Sequence, residues 1–473
     1  MQKSTDAAML AVQISLPYST ISTQYDNNMS PITPIGITDF RNQHQPFGIK
    51  DHDRLGHIYC IGKTGSGKST LLLNMVISDI KRGNGVGVID PHGDLAEMLL
   101  CHIPVERIRD VVYFNAGDAL YPVAFNPLSK VKEENRYLVA ATIVTTLKKL
   151  WADSWGPRLE HILRNTLISL LYYSKSTLLD IVPMLTNPSF RKQVLYALPV
   201  ESIREFWQQE FEPLSPQLKQ EFIAPILNKV GLFAAHPILR NIVGQQQSRV
   251  DIAEVMNAKK IFIANLSKGV LGEAATQLLG SLLVTQFQTA SLERATRPLH
   301  TRTPFYLYID EVHSFITKSF TDISSESRKF GLSLFITHQF LDQLPEDIQK
   351  SVLGNVGTLI AFRVGSRDAK VLAEEFVPIF SETDLINLPR YHIYLKLLID
   401  GTASKPFSAT THPVSVETAS NPSHIIKCSR ERYSMSKEKV EQGMQQRAMY
   451  QRGHESGQDT LFSTSYEETL NPF

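Results

Sequence analysis

The segment that most constrains the fold is Gly62 to Ser69, GKTGSGKS. It follows a short apolar run, HIYCIG (57–62), and opens a stretch with helical spacing, KSTLLLNMVISDIKR. A glycine-rich turn between a buried strand and a helix lets successive backbone N–H groups curl around phosphate oxygens, and the helix N-terminus adds positive potential. The pattern GxxxxGK[ST] therefore predicts a phosphate cradle of Gly62, Lys63, Thr64, Gly65, Ser66, Gly67, Lys68, Ser69 and Thr70. Lys68 is expected on the β- and γ-phosphates of ATP, and the Ser69 hydroxyl on Mg2+. A chance match is the alternative, and the strand–loop–helix setting weighs against it.

The runs GVGVID (85–90) and VVYF (111–114) follow, so the order strand, glycine turn, helix, strand points to a parallel sheet. Short apolar runs return at KIFIANL (260–266), PFYLYID (304–310), LSLFIT (332–337), GTLIAF (357–362) and HIYLKLLI (392–399). They read as buried strands completing that sheet. The fold class expected is α/β, a RecA-like P-loop NTPase with a mostly parallel central sheet flanked by helices. Residues 46–129 and 251–412 form this domain. Between 130 and 250 no alternating strand pattern is found. WGPRLEHILRNTLISLLYY places Leu159, Ile162, Leu163, Leu167, Leu170 and Leu171 on one helical face, so 130–250 reads as an inserted all-α domain. Residues 1–45 read as an irregular arm with room for one strand over Leu10–Leu16. Residues 413–473 read as a polar, largely disordered tail with one helix in SKEKVEQGMQQRAMYQR. A length of 473 residues suits two folded domains plus tails.

Charge narrows the function classes. Lys and Arg number 48 against 47 Asp and Glu, a net charge of +1, which excludes a surface coated by nucleic acid. Contact with DNA would be local, through a few basic residues on a loop or groove. Cys60, Cys101 and Cys428 stand far apart, outside any metal-ligand spacing, and read as reduced thiols. No apolar run approaches the ~18 residues of a membrane span. The expected location is cytoplasmic, with recruitment to a membrane left to a partner.

A second acidic site stands at the end of PFYLYIDE. An acid at the carboxyl end of a parallel strand faces the ligand crevice. Asp310 is expected to hold magnesium, and Glu311 to orient and deprotonate a water. A solvated pair opening a loop is the alternative, and the apolar run before it weighs against that. Gln339 ends the next strand, where a neutral amide can sense bound phosphate. Arg328, eleven residues earlier, has the fixed charge and fork geometry of an arginine finger, and a surface arginine is the bland reading. Asp90 stands at the crevice edge, to position magnesium or water or to cap the next helix. His313 and His338 flank these motifs and receive no role.

Taken together, GKTGSGKST, VIDPHGDL, YIDE and SRKFGLSLFITHQ resemble the HerA/FtsK superfamily of ring-forming, DNA-pumping ATPases, and more closely the TraD/TraG-type coupling proteins of conjugation and type IV secretion. FNPL (125–128), WGPRLEHILRNTL (155–167), PILNKVG (225–231), NLSKG (265–269) and GNVGTLIAFRVG (354–365) are similar to stretches of soluble members. The resemblance spans about 48 to 412. It implies Lys68 and Ser69 as the phosphate lysine and magnesium hydroxyl, Asp310 and Glu311 as the acidic pair, and Gln339 as the sensor. It implies Arg328 as the arginine reaching across a subunit interface of a homo-hexamer, with DNA, single- or double-stranded, in a central channel. It also implies a crowning all-α domain and a relaxase or secretion-machinery protein as partner. Segments near Lys268 and Lys318 are candidates for pore loops. Two features depart from the pattern. No transmembrane helix is read near the N-terminus, and Val312 and His313 stand after the acidic pair where close relatives carry Phe and Gln. Protein export or remodelling without DNA, and a non-hydrolysing ATP-dependent scaffold, are the competing functions.

Overall fold

The computed structural model describes residues 31–39, 44–316, 320–414 and 419–453. The strand expected over Leu10–Leu16, Lys318 and the last residues of the tail lie outside the described residues. The chain forms two compact units: the described parts of Met1–Ala119, Ala141–Ala152 and Arg249–Ser434, and those of Leu120–Ala140, Asp153–Ser248 and Met435–Phe473.

The first unit is built on β1 (Ile32–Thr38), β2 (Pro46–Lys50), β3 (Ile58–Ile61), β4 (Gly85–Asp90), β5 (Val111–Asn115), β6 (Ile261–Asn265), β7 (Phe305–Ile309), β8 (Leu332–His338), β9 (Thr358–Ala361), β10 (His392–Lys396), β11 (Leu398–Ile399), β12 (Thr402–Ala403) and β13 (Phe407–Thr411). β11 and β12 pair with each other; the other eleven make one sheet in the order β2-β1-β13-β10-β9-β3-β8-β7-β4-β6-β5. The seven from β9 to β5 run parallel, and β10, β13, β1 and β2 add an antiparallel wing. Every residue of β3, β4, β6, β7 and β8 is buried, because helices cover both faces. In β10 buried residues alternate with half-buried ones, so HIYLKLLI is a one-sided antiparallel strand and a short hairpin arm.

Two expectations about the termini are corrected. The arm supplies β1, although ITPIGIT looks unsuited to a strand. Its ladder with β2 slips between Pro34 and Gly36, and β13 pairs only with Gly36 to Thr38, so the proline faces no donor-demanding ladder. The tail is ordered over Pro422–Tyr433, a helix capped by Asn421 with proline in its first turn. It covers β5, the edge of the sheet. Ser429 Oγ accepts the Tyr113 N–H at 2.8 Å, Arg432 donates to the Val111 carbonyl at 3.2 Å, and Ile425 is fully buried. A polar sequence thus blunts an edge that would otherwise expose unpaired backbone groups.

The second unit is helical, including Pro157–Tyr172, Pro188–Tyr196, Pro216–Ala235, Pro237–Val243 and Lys437–Gly453. Its core holds Trp207, fully buried, with the indole N–H donating to Ser169 Oγ at 2.9 Å. Asn126 of FNPL works here as a clamp. Its amide donates to the carbonyls of Ser176 (2.7 Å) and Gln246 (2.9 Å) while its oxygen accepts the Leu128 N–H. The expected insertion of 130–250 therefore starts at Leu120, and Ala141–Ala152 belongs to the sheet unit. There Ile143, Val144 and Leu147 are buried and Lys149 donates to the carbonyls of His313 (2.7 Å) and Ile316 (2.9 Å).

One charged network sits inside the first unit. Helix α1 (Lys68–Lys81), which opens at the glycine loop, carries the fully buried Asp79 near its C-terminal end. Arg54 grips it with two bonds of 2.6 and 2.8 Å, lies 3.7 Å over the Tyr306 ring and donates to the Tyr308 hydroxyl. Arg82 and Asn84 add donors to the same carboxylate. Burial alone would raise the Asp79 carboxyl, but these partners hold it below the usual carboxylate range. Removing one partner of a buried, hydrogen-bonded pair leaves the other uncompensated. Asp79→Ala is expected to cost about 3–5 kcal/mol in denaturant-induced unfolding. Asp400, whose carboxylate pairs with Lys50 on the surface, is the control, and Asp400→Ala should move the unfolding midpoint far less than Asp79→Ala.

Candidate active site

The register of three parallel strands gathers the predicted residues. Ile61 at the end of β3 lies beside His338 of β8, and Ile309 of β7 lies beside Ile336. Whatever follows β3, β8 and β7 therefore emerges at one edge: the glycine loop, Gln339 and the pair Asp310–Glu311.

Glycine is required in the loop by geometry. Gly65 has φ +75° and Gly67 φ +123°, and a Cβ on Gly67 would come within 2.8 Å of the Tyr391 ring. The loop is braced from below. Lys63 N–H donates to the Arg363 carbonyl (2.8 Å), and Tyr391 N–H donates to that of Ser66 (2.8 Å). Lys68 is buried and its ammonium donates to the carbonyls of Gly62 and Lys63, at the mouth of the loop. Lys63, Thr64, Gly65 and Ser69 are exposed, while Ser66 Oγ is buried with no hydrogen-bond partner. An unsatisfied buried hydroxyl in a glycine turn that opens a helix fits a bound phosphate.

Asp310 Oδ1 accepts from the Thr337 hydroxyl and from the Glu311 N–H (3.1 Å). Its Oδ2 has no protein partner among the described residues, which suits a cation bound through water. Burial pushes its carboxyl up, helped by the charges of Glu311 and Asp90 and opposed by Thr337 and Lys68. Glu311 sits in left-handed backbone, φ 47° and ψ 53°. For a residue with a Cβ this costs about 1–3 kcal/mol and is found where a side chain must be aimed. Glu311 Oε1 accepts from Gln339 Nε2 at 2.8 Å. Burial would raise its carboxyl, but His313, Gln339 and the charge of Lys68 outweigh that and leave it below the usual range, so it is ionised at neutral pH. The charge of Lys68 acts to lower both carboxyls, in keeping with the shared edge at which β3 and β7 end.

Arg328 is not brought there. It is exposed in a short turn, Ser327–Phe330, ahead of β8, whereas Gln339 follows β8. The seven residues of the strand separate them by roughly 20 Å. Asp90 is a cap: its two oxygens accept the N–H groups of His92 (2.8 Å) and Ala96 (3.0 Å). Lys268 bonds Ser314 Oγ at 3.2 Å, holding the turn after Glu311. Lys149, its ammonium pushed down to about 8 by burial, holds the same turn from another helix. Thr337 and Lys149 escaped the sequence reading because each acts through a contact distant in the chain. Only the run FITHQ hinted that Thr337, two residues before Gln339, shares its side of the strand.

A sheet of this order, with a glycine cradle after β3 and acids after β7, can be compared with known proteins. No protein-family model and no curated relative matches the sequence. Solved structures do. Plasmid coupling protein TrwB in complex with the ATP analogue ADPNP superposes with a TM-score of 0.59 at 14% identity, over 85% of this chain and 92% of that one. TrwB with ADP and Mg2+ gives 0.58 at 15% identity, over 85% and 93%. VirB4 of Thermoanaerobacter pseudethanolicus gives 0.57 at 14% identity, over 84% and 100%. The chain has the fold of TrwB and VirB4. As in the expectation, it is an α/β P-loop fold. Among the described residues no single helix is long and apolar enough to cross a membrane.

Two predictions follow from this geometry. Gly67→Ala forces a Cβ into left-handed backbone and against Tyr391, at about 1–3 kcal/mol. Calorimetric titration should show nucleotide affinity reduced by about tenfold or more. The second concerns His57 and His338, both buried and neutral, which burial pushes down to about 4 and about 3. The unfolded chain protonates them near 6.5 and the folded one does not. Their contribution to stability is therefore complete above about pH 6.5 and is lost as pH falls towards 4. Unfolding titrations at a series of pH values should show that decline, and His57→Gln should flatten it.

Proposed function

We propose that this chain is a magnesium-dependent ATP hydrolase of the TraD/TraG coupling type. In this reading it works as a homo-hexameric ring that moves DNA. The observation that carries the hydrolase reading is Glu311: an ionised carboxylate, aimed by strained backbone, hydrogen-bonded to Gln339 and within the field of Lys68. A scaffold that only bound nucleotide would have no use for a base so placed. The nucleotide complexes of TrwB, one holding an ATP analogue and one ADP with Mg2+, support the choice of ligand.

The loop N–H groups and Lys68 bind the β- and γ-phosphates. Ser69 and Asp310 would hold magnesium, which when bound neutralises charge on the bridging oxygens. Gln339 turns its amide to the γ-phosphate, and Glu311 accepts the proton of the attacking water. Water oxygen bonds to the terminal phosphorus, the bridging P–O bond breaks, and ADP leaves. Arg328 lies too far from its own cradle to take part, which favours its service in the neighbouring copy's site. A net charge of +1 favours DNA contact confined to a channel over contact across the surface. The helical unit would receive a relaxase or secretion-machinery protein. The proposed location is cytoplasmic, at the membrane only through that partner.

Turnover should rise with DNA, fall as salt is added, and require Mg2+. Lys68→Ala should abolish it. Glu311→Gln should bind ATP yet hydrolyse about a hundredfold or more slowly. Mixing inactive Arg328→Ala with inactive Glu311→Gln should restore part of the rate, because some interfaces then pair an intact base with an intact arginine. Turnover that ignores DNA and responds to a protein would move the reading to export. A single-chain mass with ATP present, and no recovery on mixing, would remove the ring.

A further inference from the structure

His313 and Gln343 stand outside every motif, yet they surround the proposed base. Glu311 Oε2 and His313 Nδ1 are both buried, neither has another hydrogen-bond partner among the described residues, and they face each other at 3.4 Å. An orphaned carboxylate oxygen inside a protein is costly unless a donor reaches it. The local hydrogen bonds decide whether His313 can be that donor. Gln343 Oε1 accepts the backbone N–H groups of Gln339 (3.2 Å) and Phe340 (3.3 Å), which fixes which end of the amide is oxygen. Its Nε2 therefore points at His313 Nε2, 3.4 Å away, and donates to it. An imidazole that accepts at Nε2 carries its proton at Nδ1. That N–H faces Glu311 Oε2. The His313 carbonyl is meanwhile held by Lys149, and the next residue, Ser314, by Lys268.

The result is a closed ring through four residues, in which Gln339 takes part with its backbone N–H and its side-chain amide. Gln339 N–H donates to Gln343, Gln343 donates to His313, His313 faces Glu311, and Glu311 accepts from Gln339 through its other oxygen. The two 3.4 Å steps are long, as catalytic hydrogen bonds often are before substrate is bound. We infer that His313 and Gln343 are positioning residues for hydrolysis, holding Glu311 by Oε2 so that Oε1 is released to water when the Gln339 amide leaves it for phosphate. The inference rests on Glu311 being the base. It gives a purpose to the strained backbone of Glu311, since αL geometry turns the carboxylate towards β8 and the Gln339–Gln343 turn. It also makes the base available only when the sensor is occupied, because Gln339 masks Oε1 otherwise.

Steady-state ATP hydrolysis by the full chain, with DNA and Mg2+ present, tests this through four variants. His313→Leu should lower kcat about 10- to 100-fold with KM for ATP little changed, because His313 acts on the nucleotide only through Glu311. His313→Asn, whose amide can donate from the Nδ1 position, should recover most of that loss. Gln343→Ala frees the tautomer and should lower kcat about tenfold. His313→Leu added to Glu311→Gln should cause no further drop, as residues acting through one group do not add. Wild-type kcat in both His313→Leu and Gln343→Ala, with Glu311→Gln inactive, would overturn the ring while leaving the base in place. An active Glu311→Gln would overturn the base itself. If His313→Leu fails to fold, the same decision rests on His313→Asn against Gln343→Ala: a kcat loss in the second and not the first supports the ring, and a loss in neither removes it.

Discussion

Asp79 is a carboxylate with no access to water, and its charge is balanced by Arg54, also fully buried. The pair joins parts of the chain that the site needs in fixed relation. Asp79 stands at the far end of α1, whose first turn carries Lys68 and Ser69. Tyr308, hydrogen-bonded to both members, stands two residues before Asp310 on β7. Tyr306, two residues earlier, lies under the guanidinium. A helix that presents a phosphate cradle is thus bolted to the strand that presents the acids. Because an unpaired charge in that interior is so costly, the two cannot drift apart without unfolding.

On this frame the site is an exercise in satisfying some polar groups and leaving others open. Thr337 and a backbone N–H occupy one oxygen of Asp310, and Gln339 occupies one oxygen of Glu311. Ser66 Oγ is buried without a partner among the described residues, and Glu311 Oε2 has only the long approach of His313 Nδ1. Folded proteins rarely tolerate that outside places where a ligand or a moving side chain completes the bond. The turn after Glu311 is correspondingly rigid. Lys149 and Lys268 hold it from two other segments, so the left-handed residue is trapped by its surroundings and does not relax to ordinary backbone.

The same logic explains the departures from expectation at the ends of the chain. Pro34 and Gly36 make the β1 segment look like a loop, and the bulge between them is what lets it serve as a strand. Pro422–Tyr433 is polar enough to be taken for disorder, but its Ser429 and Arg432 are the partners that the edge strand β5 lacks. In both cases the deciding partner is remote in sequence, beyond the reach of any window of local pattern.

The amino-acid sequence alone determined the parts of this protein that obey local rules. A glycine loop between strand and helix, acids ending a fully apolar strand, and an amide ending the next are legible because strand, turn and helix N-terminus follow from residues within a few positions of one another. The order in which β3, β8 and β7 lie side by side was not legible, and that adjacency alone puts Lys68, Gln339 and Glu311 in one place. Nor could sequence assign His313, Gln343, Lys149 or the Arg54–Asp79 pair. A histidine, a glutamine or a lysine has no meaning until burial removes water and leaves it one partner to bond. Burial is a property of the packed chain, so tertiary structure decided which of these common residues matter.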